Sequence, residues 1–143
     1  MLANSCTTTQ VANSNKSTTG SISGTTGQTV AVTCNAGYSG GGTATCSTSG
    51  TFTVLTCTAV SCPANSGGTS VPSGCTCNSG YSGSVSATQT APNYYTSTCA
   101  AVSCPANSSG TSVPSGCICN PGYSGSVTAT QTAPNFYSST CSG

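Results

Sequence analysis

Twelve cysteines are the residues of this 143-residue chain that could do chemistry, because almost nothing else could. The sequence contains no Asp, no Glu, no His and no Trp, and its one basic side chain is Lys16. General acid–base chemistry near neutral pH needs a carboxylate, an imidazole or a tuned amine, and two of these three types are absent. The chain therefore reads as a non-enzyme. Calcium and magnesium sites rest chiefly on carboxylate oxygens, and structural zinc knuckles favour paired C-x2-C arms, which do not occur here. No metal or other cofactor is expected. Nucleic-acid and lipid-headgroup surfaces need several Lys or Arg, and no stretch approaches the roughly 20 apolar residues of a membrane span. Neither a nucleic-acid partner nor membrane insertion is expected. What remains for an even number of cysteines, about 8% of the chain, is a disulfide framework in an oxidising compartment.

Those cysteines must be positioned by a chain that is short of oil. It has 27 Ser, 27 Thr and 18 Gly, about half of all residues, and only 34% apolar content, much of it Ala and Cys. One large core is not available, whereas several small stapled modules are. Residues 1–3 lack the basic start and apolar stretch of a signal peptide, so the chain reads as a processed product or a segment of a longer one. A net charge of +1 provides almost no colloidal repulsion, which predicts a coat of glycans or a role in assembly.

The spacing of the cysteines exposes a duplication of period 42. Residues 60–99 and 102–141 differ at six of 40 positions: Gly67/Ser109, Thr76/Ile118, Ser79/Pro121, Ser86/Thr128, Tyr94/Phe136 and Thr96/Ser138. Cys62, Cys75, Cys77 and Cys99 recur as Cys104, Cys117, Cys119 and Cys141, a C-x12-C-x-C-x21-C pattern in both copies. The first 58 residues form a different but related unit with Cys6, Cys34, Cys46 and Cys57. Domains are expected at 1–58, 59–100 and 101–143, with four-residue links at 58–61 and 100–103. Such short links predict an elongated rod of three beads, each touching only its neighbours. A disulfide closing a loop of about 15 residues restricts the unfolded chain by about 3 kcal/mol, so two per module stand in for a deficient core.

Residues 32–57, VTCNAGYSGGGTATCSTSGTFTVLTC, resemble the second half of a sushi (complement control protein) module: Cys, Gly-Tyr, Gly, Cys, then Gly, an aromatic and a last Cys. The resemblance implies Cys6 paired with Cys46 and Cys34 with Cys57. In the tandem copies, GC-x-C-N-x-GYSG resembles the C-x-C-x-x-G-Y-x-G end of an EGF-like module, with four cysteines in place of six. Cys77-Asn-Ser-Gly-Tyr81 aligns with Cys34-Asn-Ala-Gly-Tyr38, so by analogy Cys77 pairs with Cys99 and Cys62 with Cys75; the second copy follows with Cys119 to Cys141 and Cys104 to Cys117. A bridge between the neighbours of C-x-C is disfavoured because their Cβ atoms project badly. The crossed arrangement, Cys62 to Cys77 and Cys75 to Cys99, stays open.

No apolar stripe of period 3.6 appears, and the chain is expected to be all-β, with short antiparallel strands and turns. Residues 29–34, 42–46, 51–57, 84–90 and 126–132 alternate small or β-branched residues and are predicted strands. The clusters PANSGG, VPSG, NSGYSG and APN are turn chemistry. Threonines at 128, 130 and 132 share one strand face, which reads as plain exposed strand.

Tyr38, Tyr81 and Tyr123 read as structural tyrosines over the disulfides, with stacking on a sugar face as the alternative. The paired aromatics Tyr94-Tyr95 and Phe136-Tyr137 serve either the local core or a contact with an adjoining module or chain. Asn15 and Asn107 begin N-x-S/T acceptor patterns, and Thr7, Thr8, Thr9, Ser17, Thr18 and Thr19 form dense hydroxyl clusters suited to O-glycosylation. The expectation is an extracellular, non-enzymatic structural glycoprotein that reaches the cell surface through the secretory route. Its tandem units, residues 60–141, look like the cysteine-rich repeats of surface or filament proteins of microbial eukaryotes, and its partners would be copies of itself and covalent glycans. The alternative is an adhesion or receptor ectodomain that binds a protein or glycan.

Overall fold

A computed structural model describes residues 4–143; residues 1–3, whose reading as something other than a signal peptide is given above, lie outside the described residues. Among the described residues there is no helix, and strands of two to four residues pair into seven two-stranded sheets. Ser, Thr and Gly explain both facts. Serine and threonine offer the backbone competing hydrogen bonds, glycine leaves it unrestrained, and neither supplies the apolar stripe that steadies a helix. The fold is a small disulfide-rich all-β fold.

Six disulfides join Cys6 to Cys46, Cys34 to Cys57, Cys62 to Cys75, Cys77 to Cys99, Cys104 to Cys117 and Cys119 to Cys141. The tandem copies thus hold the uncrossed arrangement. In each C-x-C the second cysteine ends a two-residue strand and the first precedes it, and the two bridge to different partners, Cys75 to Cys62 and Cys77 to Cys99, with Cys117 and Cys119 following the same scheme.

Two compact units are present: residues 1–60 together with 87–95, and residues 61–86 together with 96–143. The hairpin segment 87–95 of the first repeat thus belongs with the first unit.

In the first unit, β1 (Thr29–Val32) pairs antiparallel with β3 (Gly42–Thr45), from Thr29 opposite Thr45 to Val32 opposite Gly42. The strand alternates: Val30 and Val32 turn inward while Thr29 and Ala31 stay exposed. Around Val32 and Ala44 gather Cys6, Val11, Ile22, Cys46 and Phe52, with Val30, Leu55 and Cys57 packed against them. Ile22 and Cys46 are each 1% exposed. Isolated bridges, Thr9 with Ile22 and Ser14 with Cys34, bring the hydroxyl-rich N-terminal segment onto this core. β2 (Tyr38–Gly40) pairs with β4 (Cys57–Ala59) beside the Cys34–Cys57 disulfide.

The predicted strand at 51–57 is replaced by a tight return. Ser47 N–H donates to Thr51 O, Gly50 N–H donates to Ser47 O, and the Cys46–Phe52 bridge then turns Phe52 into the core. Val54 follows and stands 89% exposed, so only the last residue of that stretch enters a ladder.

In the second unit, the two repeats use the same small ladders. β5 (Ser66–Gly67) pairs with β6 (Thr76–Cys77), and β11 (Ser108–Ser109) pairs with β12 (Ile118–Cys119). β7 (Tyr81–Ser82) pairs with β10 (Ala100–Ala101). β13 (Val127–Ala129) pairs with β14 (Tyr137–Ser139), and its counterpart in the first repeat is β8 (Val85–Ala87) with β9 (Tyr95–Ser97), of which Ala87 and Tyr95 are counted with the first unit. The predicted strands 84–90 and 126–132 therefore end after three paired residues. The chain then turns through Thr-Gln-Thr-Ala-Pro-Asn, with Tyr94 and Phe136 in the left-handed region at φ 64° and 63°. Apolar burial is sparse. Val71, Cys77 and Val113 are buried in this unit, beside the hydroxyls of Ser70 and Ser112, which donate to Ser73 and Ser115. Two disulfides per repeat supply what so small a core cannot.

Candidate functional site

The Asn-x-Gly-Tyr turn after the second or third cysteine of each module is the feature that recurs most faithfully in the structure. Tyr38 N–H donates to Asn35 O at 3.1 Å, Tyr81 to Asn78 at 3.0 Å and Tyr123 to Asn120 at 2.9 Å. The glycine at its third position has φ of 84° at Gly37, 84° at Gly80 and 89° at Gly122, a conformation that side-chain-bearing residues rarely hold.

Two of the three turns receive a hairpin. At the first, Gln89 Nε2 donates to Cys34 O at 2.8 Å, and Gly37 N–H donates to Thr88 O at 2.9 Å. At the second, Gln131 Nε2 donates to Cys77 O and Gly80 N–H donates to Thr130 O, both at 2.9 Å. The following link closes the other side, because Val60 and Val102 donate their N–H groups to Gly37 O and Gly80 O, each at 2.9 Å. All are bonds to main-chain atoms. They require no charge, which suits a sequence that has almost none, and their strength is indifferent to salt.

Gln89 and Gln131 were not singled out by the reading of the sequence. The signal was present: the hexapeptide Ala-Thr-Gln-Thr-Ala-Pro is unchanged between residues 87–92 and 129–134, and Asn-x-Gly-Tyr-Ser-Gly occurs three times. Gly80 shows how close the fit is. A Cβ built there would stand 3.0 Å from Pro114 N and 3.1 Å from Val113 Cγ1.

The aromatics take different places. Tyr38 and Tyr81 are half-buried and Tyr123 is 40% exposed. Tyr94, Tyr95, Phe136 and Tyr137 are half-buried around the bases of the hairpins, where Thr88 and Thr130 donate to Tyr94 O and Phe136 O at 2.9 Å.

A second concavity lies in the first unit. Residues 7–11 and 51–55 line a groove of about 220 Å³, floored by Phe52 and edged by exposed Val54. That volume is below the roughly 300 Å³ at which pockets begin to enclose drug-sized ligands. Thr7, Thr8 and Thr9 stand on its wall, so sugars on these hydroxyls would occupy the groove. Thr7, Thr8, Ser17, Thr18 and Thr19 are exposed, Thr9 is half-buried, and Asn15 and Asn107 are exposed. Asn15 uses Oδ1 to accept Thr33 N–H at 2.9 Å.

All twelve cysteine sulfurs are in disulfides, so no thiolate is left to act as nucleophile or metal ligand. Six disulfides mark a protein of an oxidising, extracellular type of environment. Among the described residues no helix is long and apolar enough to cross a membrane. The sequence matches no protein-family model and no curated protein.

Proposed function

We propose that this chain is a non-enzymatic structural glycoprotein of the cell exterior, a stretch of a repeat array in a fibre or cell-surface filament. The observation that carries this reading is the recurrence of one hairpin-on-turn contact, Gln89 on Cys34 and Gln131 on Cys77, along a tandem sequence. Structural arrays need a joint that can be used again without new chemistry, and a main-chain joint is of that kind. Sushi-like and EGF-like modules strung through short links are the corresponding sequence-level reading. Glycans on Asn15, Asn107 and the hydroxyl clusters at 7–9 and 17–19 would keep a nearly uncharged surface in solution. Association with copies of itself belongs to the same proposal. Negative-stain electron microscopy of native material tests it: filaments with a regular axial period are expected, and dispersed single particles would remove the reading.

The groove at 7–11 and 51–55 favours a second reading, an adhesion or receptor ectodomain that takes a short glycan or peptide. Titration of the unglycosylated chain against a glycan array separates the two, since a structural segment binds none of the array.

A further inference from the structure

We propose that the turn at residues 119–123 is a vacant docking site for one more cysteine-rich repeat of the same type, joined in tandem after residue 143. The inference deepens the array reading above by naming the partner and the contact through which it docks.

Three observations, all expressions of the same missing neighbour, single this turn out. The first is hydrogen bonding. Gly37 and Gly80 each donate one main-chain bond to a hairpin and accept one from the following link, and Cys34 O and Cys77 O each accept a glutamine amide. None of these bonds has a counterpart at Gly122 or at Cys119 O among the described residues. Asn120 N–H donates to Asn107 O as Asn78 N–H does to Asn65 O, which sets the Cys119 carbonyl at the ladder position whose C=O points away from β11, as it does at Cys77.

The second difference is burial: Gly37, Gly80, Cys34 and Cys77 are buried, whereas Gly122 is exposed and Tyr123 is 40% exposed. The third is space. A Cβ at Gly80 would meet Val113 and Pro114 within 3.1 Å, and a Cβ at Gly122 would meet nothing within 4 Å.

In every other respect the turn is ready. It has the same glycine conformation and the same Tyr-to-Asn bond as the occupied turns, and Ser124 already pairs with Ser142 as Ser82 pairs with Ala100. A preformed site loses little freedom on binding. The ladder also sets the register: residue 142 lies where residue 100 lies, so the first residue of an appended repeat falls at the place of Val102, facing Gly122 O. The occupant is another repeat because both hairpins of this chain are engaged, 87–95 at the first turn and 129–137 at the second. A second unmodified copy therefore has no hairpin to offer.

The test fuses one more copy of residues 102–143 directly after Gly143 and follows amide hydrogen exchange by NMR. Gly122 N–H should slow by at least about tenfold relative to the unfused chain, toward the rate of Gly80. Alanine at the appended counterpart of Gln131 should return roughly fivefold of that protection. An unprotected Gly122 in a fusion whose cysteines are all oxidised overturns the proposal. A cyclised peptide of the sequence 126–140, titrated into the unfused chain, gives a readout that does not depend on folding of the fusion. Its expected signature is a saturable shift of the Gly122 amide in the millimolar range, since the tether's effective concentration is lost; no shift counts against the site. Protection of Gly122 by excess unfused chain would overturn the tandem assignment in favour of a second copy. Filaments in native material together with an unprotected Gly122 in the fusion would leave the array reading standing and remove this joint alone.

Discussion

Replacing Gly80 and Gly122 by alanine, one at a time, separates the turn from the contact made on it. Both glycines are left-handed, with φ of 84° and 89°, so alanine costs about 1–2 kcal/mol of backbone strain at either position. The surroundings differ. At residue 80 the new methyl would stand 3.0 Å from Pro114 N and Cδ and 3.1 Å from Val113 Cγ1. The first two belong to a backbone nitrogen and a closed ring, neither of which can swing aside, and overpacking of this kind adds about 1–3 kcal/mol. At residue 122 the methyl enters open space. Gly80→Ala should therefore cost about 1–3 kcal/mol more than Gly122→Ala, the backbone strain having cancelled. Urea unfolding with disulfides intact, resolved by residue in NMR and read at Thr130 and Gln131, measures the difference. Equal losses for the two variants would refute the reasoning, because they would mean that nothing presses on Gly80.

Four further outcomes are expected. Gln131→Ala removes the amide that donates to Cys77 O and should speed exchange of the Gly80 amide about fivefold, leaving Gly37 unchanged. Ile22→Ala empties a site that is 1% exposed and should lower the stability of the first unit by about 2–5 kcal/mol in urea titration, whereas Val54→Ser, at 89% exposure, should stay within about 0.5 kcal/mol. Circular dichroism should be unchanged in about 1 M salt and from about pH 4 to pH 8, because the sequence has no Asp, Glu or His, while a thiol reductant should unfold the repeats. The mass of native material should exceed 13.7 kDa by many hexose units, and mass spectrometry that finds the bare chain would remove the glycan account of its solubility.

The all-β class was legible because Ser, Thr and Gly at such density leave neither helical propensity nor a helical stripe, and the tandem copies were legible because six changes in 40 positions leave the period plain. The pairing inside those copies stood between two arrangements on residues alone. The structure holds the uncrossed one, Cys62 with Cys75 and Cys77 with Cys99, and likewise Cys104 with Cys117 and Cys119 with Cys141. What the sequence concealed was of two kinds. Val11 and Ile22 lie among hydroxyls that read as a glycan-bearing surface, and only the Thr9–Ile22 bridge reveals that this segment carries the first unit's core. Gln89 and Gln131 fall inside the predicted strands 84–90 and 126–132 with nothing to mark their role, because their partners are main-chain carbonyls about 54 or 55 residues earlier, and a carbonyl leaves no mark in a sequence. Hairpin ends were misjudged for a related reason. Thr88 and Thr130 continue the strand pattern, but their carbonyls are taken by Gly37 and Gly80, and the chain turns there instead of extending.

The central claim is that one joint is used twice in this chain and stands vacant once, and amide exchange at the three turn glycines tests it most directly. In the unmodified, fully oxidised chain, Gly37 and Gly80 should exchange at least about tenfold more slowly than Gly122, since the first two donate to Thr88 and Thr130 and the third donates to no described partner. Three equal rates would contradict the claim, whether all fast, with the hairpins not seated in solution, or all slow, with the last turn already filled.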